Sequence, residues 1–257
     1  MTRKPLVPIR TNRDLLIFQL GGDQALVVGC DSAGGIGPKP LDKVKVDSFT
    51  LGKFTARAAL MEVLAVGADP VCVVDALSVE PEPTGAEIIR GIRHEAEIAG
   101  LDPRLAVTGS TEKNVVVEQT GIGVTVIGAC KAAKLKMATS KAGDVVVAVG
   151  VACVGQEVLP AEKAGRIADT TDVLKLRSLR FVHEVLPVGS LGVRRETLVL
   201  AEGSRLAVEM LAETGVDVDK SAGPATVVLA SLPADKVDGL KLIFKKPVTV
   251  VARLRHL

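Results

Sequence analysis

Residues 29–40 read GCDSAGGIGPKP. They follow the apolar run ALVV, residues 25–28, and contain one acid, four glycines, two prolines and one lysine. Such a stretch is either a flexible surface turn or a loop whose backbone N–H groups and lysine cradle an anion. On its own composition the turn is the slightly better reading. It is not a Walker A loop, since no G-x-x-x-x-G-K-[ST] occurs in the chain.

Its flanks supply the architecture. DLLIFQL (14–20) and ALVVGC (25–30) read as two strands joined by the turn GGDQ, where glycines supply backbone freedom. Residues 47–67 read as a helix with apolar Leu51, Phe54, Ala58, Met61 and Ala65 at helical spacing. Asp47 or Ser48 can cap its start, and Gly67 with Pro70 can end it. DPVCVVDALSVE (69–80) reads as a Val-rich strand and residues 83–100 as a second amphipathic helix. RLAVTGS (104–110) and VTVIGAC (124–130) read as further strands.

The polar, basic stretch KAAKLKMATSKAGD marks a boundary near residue 135. The expected domains are 1–134 and 135–257. Beyond it DVVVAVG opens a second alternation, helical pattern dominates from Gln156 to Thr214, and ATVVLAS and VTVVARL close the chain as strands. The expected class is α+β in two successive units, without a short internal repeat.

Composition narrows the function. The chain of 257 residues is 47% hydrophobic, enough for a substantial core. With five Phe and no Tyr or Trp it offers no aromatic platform for stacking bases. A formal charge of +2 gives no argument for a polyanion partner, so nucleic acid is not expected. The basic clusters KAAKLK and FKK read as solvated surface. Cys30, Cys72, Cys130 and Cys153 form no C-x-x-C pair and read as buried free thiols in a reducing compartment. No signal-peptide core or membrane-length apolar run is present, so a soluble cytoplasmic protein is expected. The three histidines form no triad or metal cluster: His94 reads as solvated, His183 as core or interface, and His256 lies at the chain end.

Three acids invite a metal reading: Asp23 in the GGDQ turn, Asp31 at a strand end, and Glu62 inside an apolar helix segment. Mg²⁺ takes one or two carboxylates, with phosphates and water in its other positions. Each acid also has an ordinary reading, as a turn residue or a solvated helix position. The loop TGSTEKN (108–114) shares that ambiguity, at the end of a strand where ligands often bind.

The ordered set of motifs resembles the superfamily of aminoimidazole ribonucleotide synthetase, thiamine-monophosphate kinase, selenophosphate synthetase and the hydrogenase-maturation dehydratase. The G-D-D-A turn of those proteins corresponds to GDQA (22–25). Their strand-end Asp and glycine loop correspond to CDSAGGIGPK, N-D-x-x-x-x-G-A-x-P to MEVLAVGADP, and G-G-[DE]-T to TGSTEKN. The set spans about residues 14–130, and AGDVVVAVGVACVG looks like the opening of the second domain. Gln24 and Ser110 stand where the family carries acids, and Glu62 where it carries Asp.

The resemblance implies ATP with Mg²⁺, a two-domain fold and a homodimer formed through the strands of the N-terminal mixed-sheet domain. It implies Asp23, Asp31 and Glu62 as metal ligands. Gly35, Gly37, Lys39 and the loop residues Gly109, Ser110, Thr111, Glu112 and Asn114 are implied as ATP contacts. Asp31 and Asp75 are the catalytic candidates, Asp75 orienting the acceptor hydroxyl or serving as a structural strand-end acid. The chain looks most like the short kinase branch, whose α-ribazole kinases phosphorylate the nucleoside 5′-hydroxyl in salvage of the cobalamin lower ligand. Another ATP-dependent activity of the superfamily, and a non-catalytic nucleotide-binding role, are the alternatives.

Overall fold

The computed structural model describes residues 8, 9, 11, 13–212 and 214–257. The chain divides into two compact units, Met1–Leu135 and Lys136–Leu257. Both mix helices with antiparallel-rich sheets, so the protein is α+β.

The first unit contains β1 (Pro8–Ile9), β2 (Leu15–Gln19), β3 (Gln24–Gly34), β4 (Ile36–Gly37), β5 (Val44–Lys45), α1 (Ser48–Ala65), β6 (Asp69–Leu77), α2 (Ala86–Ile98), α3 (Pro103–Ala106), β7 (Val107–Thr111) and β8 (Gly121–Lys131). Its main sheet runs β1-β2-β3-β8-β6-β7, antiparallel except for the parallel β6–β7 pair at one edge. Residues of β3 and β8 alternate between buried and partly exposed positions, the signature of a sheet with one covered face. Ala25, Val27, Val124 and Val126 face the covered side.

The cover is α1 and α2. Asp47 caps α1, its Oδ1 accepting from the Thr50 N–H at 2.8 Å. A Cβ on Gly52 would sit 2.0 Å from the Ile88 carbonyl, and one on Gly91 would sit 2.1 Å from that of Phe49. The two helices therefore approach through paired glycines that any larger residue would force apart. Beside that contact Arg57 and Glu95, both buried, form an ion pair with bonds of 2.9 and 2.7 Å. The other sheet face leaves Leu16 and Val71 half-exposed.

Sequence reasoning started β7 at Arg104, but Pro103–Ala106 is a helical turn capped by Asp102, which fixes the proline at a helix start. The thiols are less uniform than expected. Cys130 and Cys153 are buried, Cys72 is half-buried, and Cys30 is exposed, because it falls on the open face of β3.

The second unit contains β9 (Asp144–Gly150), α4 (Val158–Lys163), α5 (Thr170–Ser178), β10 (Glu184–Pro187), α6 (Gly192–Gly203), β11 (Leu206–Met210), β12 (Val227–Pro233), α7 (Val237–Ile243) and β13 (Val248–His256). Its antiparallel sheet has the order β10-β12-β9-β13-β11. All seven residues of β9 are buried, so the central strand is covered on both faces and reads as a continuous apolar run. Val146, Ala148, Leu229 and Leu254 pack with Val199 and Leu200 of α6.

The helical expectation for 156–214 holds for α4, α5 and α6 and fails at β10 and β11. All four residues of β10 are buried, so it shows no period of two. The basic clusters are also not simply solvated. The Lys136 ammonium donates to the Arg177 carbonyl at 2.9 Å, and Lys246 is held by Asp169 and Asp172. Among the described residues no helix is long and apolar enough to cross a membrane.

Candidate active site

Asp31 of β3 pairs with Val124 of β8, Val124 with Asp75 of β6, and Asp75 with Gly109 of β7. These four residues form one row across the sheet. Paired residues project to the same face, so both acids lie on the side that α1 and α2 cover. Two strand spacings separate them, on the order of 10 Å between Cα atoms.

Asp75 is 3% exposed, and its Oδ1 has no hydrogen-bond partner. Burial pushes its carboxyl up to about 6, against the pull of the nearby Arg93 charge. A Cβ on Gly109 would lie 2.2 Å from that same Oδ1. Gly109 is thus the notch that lets the carboxylate lie against the backbone of β7. Burial also raises the Asp31 carboxyl, the Ser32 backbone hydrogen bond opposing it and the negative Asp14 adding to it.

Three residues beyond this row, at the same end of the sheet, the glycine loop begins. Gly34, Gly35, Ile36, Lys43, Val44, Ser78, Val117, Gln119, Thr120 and Gly121 line an open cleft of about 460 Å³. Asp42, which sequence reasoning missed, organises the loop. It accepts from the Lys39 N–H at 2.8 Å, from the Thr120 N–H at 2.8 Å and from the Thr120 hydroxyl at 2.7 Å. The Gly35 N–H donates to the Thr120 carbonyl at 2.9 Å. Gly37 has φ +147°, and a Cβ there would meet Thr120 and Asp42 within 2.8 Å. Lys39 reaches out of the loop to Glu80, Nζ to Oε2 at 2.6 Å. An acid three residues past a loop lysine, here K-P-L-D, gives no sequence signal, since K-x-x-D is common on any polar turn; Asp42 is legible only from its burial and its bonds.

The second loop stands at the end of β7. Gly109, Ser110 and Thr111 belong to that strand. The Glu112 N–H is held by the carbonyls of Leu77 and Val79, at 3.1 and 2.9 Å. The Glu112 side chain turns back to accept from the N–H groups of Asn114 at 2.7 Å and Val115 at 3.2 Å, which hold its carboxyl below the ordinary range.

The three acids expected to share a metal do not converge within one chain. Asp23 immediately precedes β3 and Asp31 lies eight residues further along it, about 27 Å away at ~3.4 Å per residue. Gly29 lies against Ala59 and Val63 of α1, and Gly128 against Val63 and Ala68. Glu62 lies between Ala59 and Val63 on α1. Among the described residues no three His, Cys, Asp or Glu side chains stand close enough to hold a metal ion. What fits Mg²⁺ is narrower: Asp31, and the Asp75 oxygen that nothing in the fold satisfies, next to a cleft open enough for phosphates.

Residues 12–130 match the family described as AIR synthase related protein, N-terminal domain. No curated protein sequence matches the chain. Solved structures do. The thiamine-monophosphate kinase of Stenotrophomonas maltophilia K279a superposes with a TM-score of 0.64 at 18% identity, over 95% of this chain and 87% of that one. AaThiL complexed with AMPPCP and TMP has a TM-score of 0.64 at 12% identity, over 96% and 85%. The E. coli hydrogenase maturation protein HypE has a TM-score of 0.64 at 15% identity, over 90% and 80%. At these identities the likeness establishes the fold alone: two successive α+β units, the first of which carries the family match.

Proposed function

We propose that this protein is an ATP-dependent kinase that transfers a phosphoryl group to the hydroxyl of a small molecule, the 5′-hydroxyl of α-ribazole. The observation that carries the reading is the Asp31–Val124–Asp75–Gly109 row, which keeps a buried, unsatisfied carboxylate beside a glycine-lined cleft. Buried acids without partners are costly and concentrate at functional sites. The fold supports the nucleotide, since a structural neighbour is a complex with the ATP analogue AMPPCP.

Phosphoryl transfer asks a protein mainly for positioning and for charge to offset the triphosphate. In this reading Gly35, Gly37 and Lys39, with the loop Gly109–Asn114, border the nucleotide. Asp75 accepts a hydrogen bond from the acceptor hydroxyl and orients it; its raised pKa lets it take the proton near neutral pH. Asp31, beside Asp75, would hold Mg²⁺, which supplies positive charge at the phosphates when bound. Asp23 can join them only from a second chain, and the half-exposed Leu16 and Val71 on the open sheet face give a homodimer an apolar surface.

A thiamine-monophosphate kinase-like acceptor is the second reading, favoured by the neighbour that also holds TMP. Incubation with ATP, Mg²⁺ and a panel containing α-ribazole and thiamine monophosphate, read by mass spectrometry, separates the two. The expected product is α-ribazole with one added phosphoryl group, lost when EDTA is present. ATP binding without Mg²⁺-dependent transfer to any acceptor would support a non-catalytic role instead.

A further inference from the structure

We infer that Glu80 is a positioning residue that presents Lys39 to the phosphates of the bound nucleotide; the inference rests on the kinase reading above. The two oxygens of Glu80 have different partners. Oε2 takes the Lys39 ammonium at 2.6 Å, and Oε1 takes the hydroxyl of Thr84, a residue 6% exposed. The carboxylate is thus fixed from behind by a buried group before it meets the lysine. Its backbone is fixed too: the Gly85 N–H donates to the Glu80 carbonyl at 3.0 Å, closing a turn that contains Pro81 and Pro83. Burial works to raise the Glu80 carboxyl, but hydrogen bonds from Lys39 and Thr84 hold it below the ordinary range, so it is charged at neutral pH.

Lys39 is the one lysine inside the glycine loop, and its side chain is 12% exposed. A free lysine side chain carries large rotamer entropy, lost when it fixes an anion. Here part of that loss is met in the free protein. An ammonium has three donors, and Glu80 engages one side of it. The cleft lined by Gly35, Lys43 and Ser78 adjoins this loop, and in the kinase reading the remaining donors of Lys39 meet the phosphate oxygens bound there. The backbone of Lys39 is anchored independently by Asp42, so Glu80 governs the side chain and not the loop.

The test is a double-mutant cycle read by ATP affinity in the presence of Mg²⁺. Glu80→Ala should weaken ATP binding about five- to tenfold, and Lys39→Ala should weaken it at least as much. In the Lys39→Ala background, Glu80→Ala should add less than about twofold, because its effect passes through the lysine. Glu80→Gln, which keeps a bond to Thr84, guards against a folding defect and should fall between wild type and Glu80→Ala. Additive effects, or unchanged affinity in folded Glu80→Ala, would overturn the inference while leaving the kinase reading intact. A wild-type protein that does not bind ATP at all would overturn both.

Discussion

Glu184 in the second unit and Asp75 in the first are both nearly inaccessible acids on sheet strands, and they are treated in opposite ways. Glu184 accepts from the N–H groups of Ala138, Thr139 and Ser140 at 3.0–3.1 Å and from the Ser140 hydroxyl at 2.7 Å. Its neighbours follow suit: Asp144 takes His183 at 2.7 Å, and Asp172 takes Lys246. Asp75 has an oxygen with no partner and a glycine opposite to make room for it. The second unit thus uses Glu184 to fasten its chain, whereas the first, which fastens Asp42 and Glu95 in the same way, leaves an oxygen of Asp75 open for something that arrives. The sheets differ in the same sense. The core strand of the second is covered on both sides, whereas the first keeps one face and one end accessible.

The largest effect should come from breaking the fastened acid. Glu184→Ala strands three N–H groups and a hydroxyl in the interior and should cost roughly 3–5 kcal/mol in chemical denaturation. Next, Lys246→Met leaves Asp172 buried beside Asp169 without its cation and should cost about 2–3 kcal/mol at neutral pH. Part of that loss should return on acidification, as protonation removes the stranded charge.

The open acid should show the same pH direction in the wild-type protein. The folded-state pKa of Asp75 is raised from 3.8 to about 6, so the native state holds the proton more tightly than the unfolded chain. Its contribution to stability is therefore best below about pH 4, falls as the pH rises toward 6, and is level above that, by about 3 kcal/mol in all. Asp75→Asn should flatten this slope in pH-dependent melts without added metal, and should be no less stable than wild type at pH 8. It should also reduce phosphoryl transfer by roughly 10²-fold or more, as for loss of a positioned acid–base group. The smallest expected change in stability is that of Gly109→Ala, about 1–2 kcal/mol from overpacking against Asp75. Its transfer activity should nonetheless fall with that of Asp75→Asn, since the added methyl displaces the same carboxylate.

The contrast also explains what could be read from the sequence. The first unit alternates, caps and turns in ways that periodicity detects, so β3, α1, β6 and β8 were legible, as was Asp47 as a cap. In the second unit the buried strand EVLP (β10) and the short strand after α6 carry no alternation, and a helical period absorbed both. Asp31 and Asp75 were legible as strand-end acids, but their alignment through Val124 depends on a register that no local pattern encodes. Within one chain Asp23 and Asp31 stand apart for a related reason. Their closeness in sequence becomes the full length of a strand once the segment is extended. Glu80 gave no signal, because its partner lies forty-one residues earlier on another loop.

The claim that this end of the first unit is a phosphoryl-transfer centre is tested most directly by Asp31→Asn. Transfer from ATP to α-ribazole should be followed with Mg²⁺ in the purified wild-type protein and the variant. The account predicts Mg²⁺-dependent formation of the phosphorylated nucleoside by wild type, and a rate at least roughly 100-fold lower in the folded variant. Transfer by Asp31→Asn at the wild-type rate would contradict it.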